Sequence, residues 1–182
     1  MADQLHVVTG GPGSGKSSLI AALAAEGIPH MPEGGRAIIR DQAAIGGDAL
    51  PWADRQSFAA LMLGWELRSH REASASSGPV ILDRGLPDVI GYLRLCGLPV
   101  PQHLYRAADL FRYNRRVFIA PHWPEIYTGD AERRQTAGEA EATCRAMAEV
   151  YAELGYDLLP LPRAPVRERV RFVLAHIGRT GP

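Results

Sequence analysis

An apolar run, Leu5–Thr9, leads straight into Gly10-Gly-Pro-Gly-Ser-Gly15-Lys16-Ser17, and a helix-forming stretch, Lys16–Glu26, follows at once. The segment meets the pattern G-x-x-x-x-G-K-[ST] at every defined position, and no other part of the chain constrains the backbone as tightly. A strand must end where the loop begins, successive N–H groups must converge inside the loop, and a helix must start beneath it. Gly10, Gly11, Gly13 and Gly15 permit that curl because they lack a Cβ. The helix N-terminus adds a partial positive charge of about half a unit. The result is a cradle for a phosphate chain, with Gly11, Pro12, Gly13, Ser14, Gly15, Lys16, Ser17 and Ser18 as its expected contacts. Lys16 is placed to bridge β- and γ-phosphates, and the Ser17 hydroxyl to ligate Mg²⁺.

Composition sharpens this point. Of the twenty basic residues only Lys16 is lysine; every other one is arginine. Arg-for-Lys usage is a composition bias, yet the one position that keeps Lys lies where a compact ammonium is needed rather than a planar fork.

The apolar runs Leu5–Thr9, Pro79–Asp83, Val117–Ala120 and Asp157–Leu161 are continuous rather than alternating, as in strands covered on both faces; Ile28–Met31 is a weaker fifth. Helices are predicted over 16–26, 36–45, 52–74, 88–96, 103–113, 136–154 and from Pro165 to Ile177. Thr136-Ala-Gly-Glu139 forms a capping box. The 52–74 helix places Phe58, Leu61, Met62 and Trp65 on one face, and Trp52, Phe58 and Trp65 are expected in the core. Strands alternating with helices imply an α/β three-layer sandwich: a parallel, mainly five-stranded sheet with helices on both faces. A length of 182 residues fits one domain over 1–182.

Charge and cysteine usage exclude other classes. Twenty basic residues balance twenty acidic ones, which disfavours a non-specific nucleic-acid binder or a polybasic membrane anchor. Apolar runs are too short to span a bilayer, and the opening MADQLHVV has no basic stretch before an apolar run. Cys96 and Cys144 lie far apart, and the six His form no ligand cluster. The expected address is the cytoplasm, with neither nucleic acid nor membrane as partner and no oligomer indicated.

Val80-Ile-Leu-Asp83 ends in an acid at the C-terminal edge of a buried strand, where ligands bind in open α/β sheets and an Asp can hold Mg²⁺. Arg84 follows instead of the Glu that activates water in ATPase motors, and a chain whose only Lys is Lys16 has no N-K-x-D guanine motif.

The segments GGPGSGKSSLI, MPEGGRAII, ILDRGLPDVIGYL, RVFIAPHWPEIYTGDAERRQT and YAELGYDLLPLP occur in an order that resembles the small AAA-type P-loop domains grouped with the ribosylnicotinamide kinase domain of bacterial NAD-biosynthesis regulators. More distantly they are similar to deoxynucleoside and nucleoside-monophosphate kinases. The resemblance runs from about Leu5 to Ile177. It implies a nucleotide-kinase-like fold and transfer of the γ-phosphoryl of Mg·ATP to a small, nucleoside-like acceptor. In it, Glu33 faces the acceptor hydroxyl as general base, and Arg36 contacts a substrate phosphate or carboxylate. Asp83 and Arg84 match the Asp/Glu-Arg pair beside the phosphates. Residues from about 122 to 136 form a lid, in which Arg133 and Arg134 neutralise charge on the transferred phosphoryl and Asp130 orients the segment. Leu161–Pro165 packs adenine. Independently of the resemblance, Trp123 stands among prolines in an expected loop, where it can wall a substrate pocket. Each residue also has a structural alternative: Glu33 as a helix cap, Arg84 as an ion-pair partner, Arg133 and Arg134 as a solvated turn. Two functional rivals stand beside the kinase, a nucleotide-dependent switch without an acceptor and an assembly ATPase subunit.

Overall fold

The computed structural model describes residues 2–126 and 137–178. Five parallel strands, β1 (Leu5–Gly10), β2 (His30–Met31), β3 (Val80–Asp83), β4 (Arg116–Ala120) and β5 (Asp157–Pro160), form one sheet in the order β2-β3-β1-β4-β5. The central pairings run Leu5↔Val80 to Val8↔Asp83 on one side of β1 and Val8↔Phe118 to Gly10↔Ala120 on the other. The helices are α1 (Lys16–Ala25), α2 (Gly34–Ile45), α3 (Arg55–Ser74), α4 (Leu86–Leu95), α5 (Gln102–Leu110), α6 (Ala137–Glu153) and α7 (Val166–His176).

The central strands β1, β3 and β4 read as unbroken apolar runs because both faces are covered. Val8, Ile81 and Phe118 pack with Leu19 and Leu23 of α1 and Val173 of α7. Leu5, Val7, Leu82 and Val117 point the other way, against Ala73 of α3 and Tyr151 of α6. This is the expected three-layer α/β sandwich. Among the described residues no helix is long and apolar enough to cross a membrane.

Two boundaries differ from the sequence expectation for identifiable reasons. β2 starts at His30, not Ile28, because Pro29 has no N–H and contributes only its carbonyl, to Ile81 N at 2.9 Å. α3 starts at Arg55 because the Asp54 carboxylate accepts from Gln56 N and Ser57 N and caps the helix there. Trp52 is therefore outside the helix and 61% exposed, which corrects its assignment to the core. Phe58 is buried as expected, and Trp65 is half-buried against α2. The N-terminal half of the expected capping box, Thr136, lies outside the described residues.

Candidate functional site

β1 and β3 end side by side, and the site is built on their C-terminal edges. After β1 the chain turns through Gly10 at φ 128°, Gly13 at 67° and Gly15 at 74°. Gly10 also has no room for a side chain, since a Cβ there would lie 2.4 Å from the Ala120 carbonyl of β4. Inside the loop, Lys16 Nζ donates to Gly11 O at 2.6 Å and Gly10 O at 3.2 Å, and Ser14 Oγ donates to Gly11 O at 2.7 Å. The ammonium is thus held against the curl of the loop, 7% exposed.

A cavity of about 610 Å³ opens over this loop and takes in Lys16, Ser17, Ser18, Glu33, Arg36 and Asp83. Trp123, Ala164 and Pro165 close its far side. Arg169 of α7, 2% exposed, reaches beneath the loop, and its Nη1 donates to Ser14 O at 3.2 Å. It also crowds Gly15, where a Cβ would come within 2.7 Å of that nitrogen.

A second cavity, about 490 Å³, lies on the other side of Glu33 between α3, α4 and α6. Its wall is aromatic and apolar, with Phe58 and Tyr92 in edge contact at 5.4 Å, Met62 and Val89. Its inner end is charged, with Glu33, Glu66, Arg84 and Asp88. Glu33 and Pro12 are the residues that line both cavities.

Between the two cavities runs a chain of ion pairs. Arg84 Nε donates to Glu33 Oε1 at 2.9 Å, and its Nη1 donates to Asp88 Oδ1 at 3.0 Å. Arg84 takes up a left-handed backbone, φ 79°, at an expense of roughly 1 kcal/mol or more for a residue with a Cβ. Its N–H is held by Val8 O at 3.1 Å. Asp88 also accepts from Thr9 Oγ1 at 2.6 Å, Tyr151 OH at 2.7 Å and Gly85 N at 3.0 Å. The carboxylates around Arg84, Glu33 foremost, outweigh its burial and raise its pKa further. Glu33 occupies the N-cap position of α2 without a side-chain capping bond there; its carboxylate turns to Arg84 instead. Trp65 fixes this segment by donating Nε1 to Pro32 O at 3.1 Å and packing over Gly34.

Asp83 sits at the end of β3. Burial, then the neighbouring Glu33 carboxylate, push its carboxyl above the ordinary range, with the Lys16 ammonium pulling the other way. Asp83 Oδ1 is buried without a hydrogen-bond partner among the described residues. An orphaned carboxylate oxygen sharing a cavity with the Ser17 hydroxyl is a hard-oxygen donor set suited to Mg²⁺, which takes few protein ligands and keeps waters and phosphates for the rest.

A family model described as an AAA domain matches residues 5–169. The chain belongs to that AAA domain family. No curated protein matches it at a significant level. Among solved structures, the NadR protein in complex with NR superposes on this AAA domain with a TM-score of 0.74 at 18% identity, over 98% of this chain and 53% of that one. The chain thus spans about half the length of that protein. Deoxyadenosine kinase from M. mycoides, with dCMP and dCDP, gives 0.68 at 15% identity over 96% and 98% of the two chains. Thymidylate kinase from Ehrlichia chaffeensis gives 0.61 at 13% over 98% and 100%. The fold of the AAA domain is that of a P-loop nucleotide kinase.

Of the residues singled out in the sequence, the structure brings Lys16, Ser17, Glu33, Arg36, Asp83 and Arg84 together. Tyr127, Asp130, Arg133, Arg134 and Gln135 lie outside the described residues, as does most of the expected lid. Three residues were missed. Asp88 stands four residues after Arg84, a helical ion-pair spacing that was available to be read. Glu66 is an acid four residues beyond Met62 on an otherwise apolar face. Arg169 gives no local signal, because its partner in the loop is 155 positions away.

Proposed function

We propose that this AAA domain is a Mg·ATP-dependent phosphotransferase that moves the γ-phosphoryl onto a hydroxyl of a small, nucleoside-like acceptor. The observation that carries the reading is Glu33, which borders both the loop cavity and the second, aromatic-walled cavity. A switch protein needs the first cavity alone; a kinase needs two, with a base where they meet.

Lys16 and the loop N–H groups would hold the phosphates of ATP, while Ser17 and Asp83 would hold Mg²⁺. When bound, that ion supplies charge neutralisation at the phosphates. Glu33 would take the proton of the acceptor hydroxyl as its oxygen bonds to the γ-phosphorus and the bond to the β,γ-bridging oxygen breaks, releasing ADP. Arg84 orients Glu33 and supplies positive charge beside the transferred group, and Arg36, with Arg133 and Arg134 of the lid, adds to it. The catalytic gain comes from positioning and charge neutralisation. Trp123, Ala164 and Pro165 would flank the adenine. The chain is read as one domain acting on small molecules, without a nucleic-acid or membrane partner.

The test is ATP consumption with Mg²⁺ against nucleosides, nucleotides and small sugars. Lys16→Ala should abolish acceptor-stimulated turnover together with thermal stabilisation by nucleotide. Glu33→Gln should lower kcat by about 10²–10⁴-fold while nucleotide stabilisation persists. Nucleotide stabilisation with no acceptor raising turnover would overturn the kinase reading in favour of a switch.

A further inference from the structure

α3 sets Phe58, Met62 and Glu66 at four-residue intervals along the second cavity, so one helix face is apolar at its outer end and acidic at its inner end. Glu66 is 6% exposed. Among the described residues it makes neither hydrogen bond nor ion pair. The cations nearby are committed elsewhere: Arg84 to Glu33 and Asp88, Arg36 to Glu33. Asp88, the neighbouring acid, has both oxygens occupied by Thr9, Tyr151, Gly85 and Arg84. Burial, then the Asp88 charge, push the Glu66 carboxyl well above its ordinary range, against a smaller pull from Arg84.

A buried carboxyl without a partner destabilises the fold, and an apolar residue at the same place in a helix would not. Such a group is retained where a ligand completes it. The inner end of the cavity is acidic, with Glu33, Glu66 and Asp88, so the ligand's polar end must bring donors, while Phe58, Met62 and Tyr92 accommodate an apolar or aromatic ring above it. One donor is the hydroxyl that faces Glu33. A second hydroxyl on the same sugar satisfies Glu66. We propose that Glu66 is a specificity-determining residue that accepts a hydrogen bond from a second sugar hydroxyl, so that the acceptor is a ribose-type diol rather than its deoxy analogue. This rests on the kinase reading, and on the acceptor occupying the second cavity.

The experiment compares matched ribonucleosides with their 2′-deoxy and 3′-deoxy counterparts, by turnover and by calorimetric binding to the nucleotide-loaded protein. Wild type should favour the ribo form over at least one deoxy form by tenfold or more in both kcat/KM and Kd, since a polar site left unpaired rejects the analogue that lacks its hydroxyl. Glu66→Leu should reduce that ratio below threefold without lowering Tm, and Glu66→Gln, which keeps one acceptor oxygen, should fall between. A purely structural Glu66 would lower Tm in the Leu variant and leave the ratio intact. Equal handling of ribo and deoxy forms by wild type overturns the inference whatever the variants do. Turnover that ignores the sugar while ATP is consumed defeats this assignment alone; binding discrimination without any phosphoryl transfer defeats the kinase reading and leaves Glu66 in place.

Discussion

Arg84 and Asp88 show how a charged site is held together one residue at a time: Asp88 is buried and Arg84 half-buried, and between them they spend their hydrogen-bonding capacity on each other and on β1, the Glu33 cap of α2 and α6. His6 does the opposite. It lies within β1, 4% exposed, with Nδ1 lacking a partner among the described residues and the ring tilted against Phe118 at 6.5 Å. Burial first, then the Arg116 charge, lower its pKa from 6.5 to about 4, with Asp3 opposing. The folded chain therefore keeps a neutral imidazole where the unfolded chain takes up a proton. The stability it contributes is complete above pH 6.5 and is lost as pH falls from there towards about 4. The loss is on the order of 3 kcal/mol, from 1.36 kcal/mol per unit of pKa. His6→Leu should flatten the acid limb of a Tm-against-pH curve between those values. Glu66, shifted upwards, contributes a slope of opposite sign, so the quantity to compare is the difference between variant and wild type. Parallel acid limbs would remove His6 from the account. At this scale the sequence was legible where a motif fixes spacing, as at Lys16, Ser17, Asp83 and Arg84. It was not legible at Glu66 or Arg169, each a single charge in a helix whose role depends on what the sheet order brings beside it.

Elements were easier to place than residues. Continuous apolar runs located the central strands β1, β3 and β4, because a parallel strand buried on both faces must be apolar along its length, whereas the edge strands β2 and β5 are only partly covered and β2 gave the weakest signal. Errors gathered where one local bond decides: the missing N–H of Pro29 and the Asp54 cap. What the periodicity does not contain is how α7 returns to β1. Arg169 answers that, since its guanidinium joins the first turns of α7 to the carbonyls of Ser14 and Gly15 at 3.2 and 3.4 Å. Its burial works against its own charge, so the hydrogen bonds must compensate, and bonds from a charged donor are worth about 1.5–3 kcal/mol each. Arg169→Met keeps the bulk and removes the donors. Nucleotide affinity should fall about tenfold or more, one decade being about 1.4 kcal/mol, with Tm lower by about 2–4 °C per kcal/mol lost. Affinity for the acceptor should stay within twofold of wild type. Calorimetry with each ligand alone checks this, and equal weakening of both would mean a general loosening rather than a loop strut.

Over the whole molecule, strand order does what no single element can. With β1 at the centre and β3 beside it, the phosphate loop and the Asp83-Arg84 edge come together. The helices packed around α4 leave a separate cavity next to them. Two of the tryptophans report on the two cavities independently. Trp123 lines the loop cavity, Trp52 lines the second, and Trp65 is held between α2 and α3 by its bond to Pro32. ATP analogues added alone should therefore change the emission of Trp52→Phe, which keeps Trp123, and leave Trp123→Phe nearly unchanged. A nucleoside acceptor added alone should do the reverse. When both ligands are present, the changes should add if the cavities act as independent compartments, and exceed the sum if binding on one side of Glu33 orders the other. One variant losing both responses would show that the two ligands share a single cavity, which would end the two-compartment description of this fold.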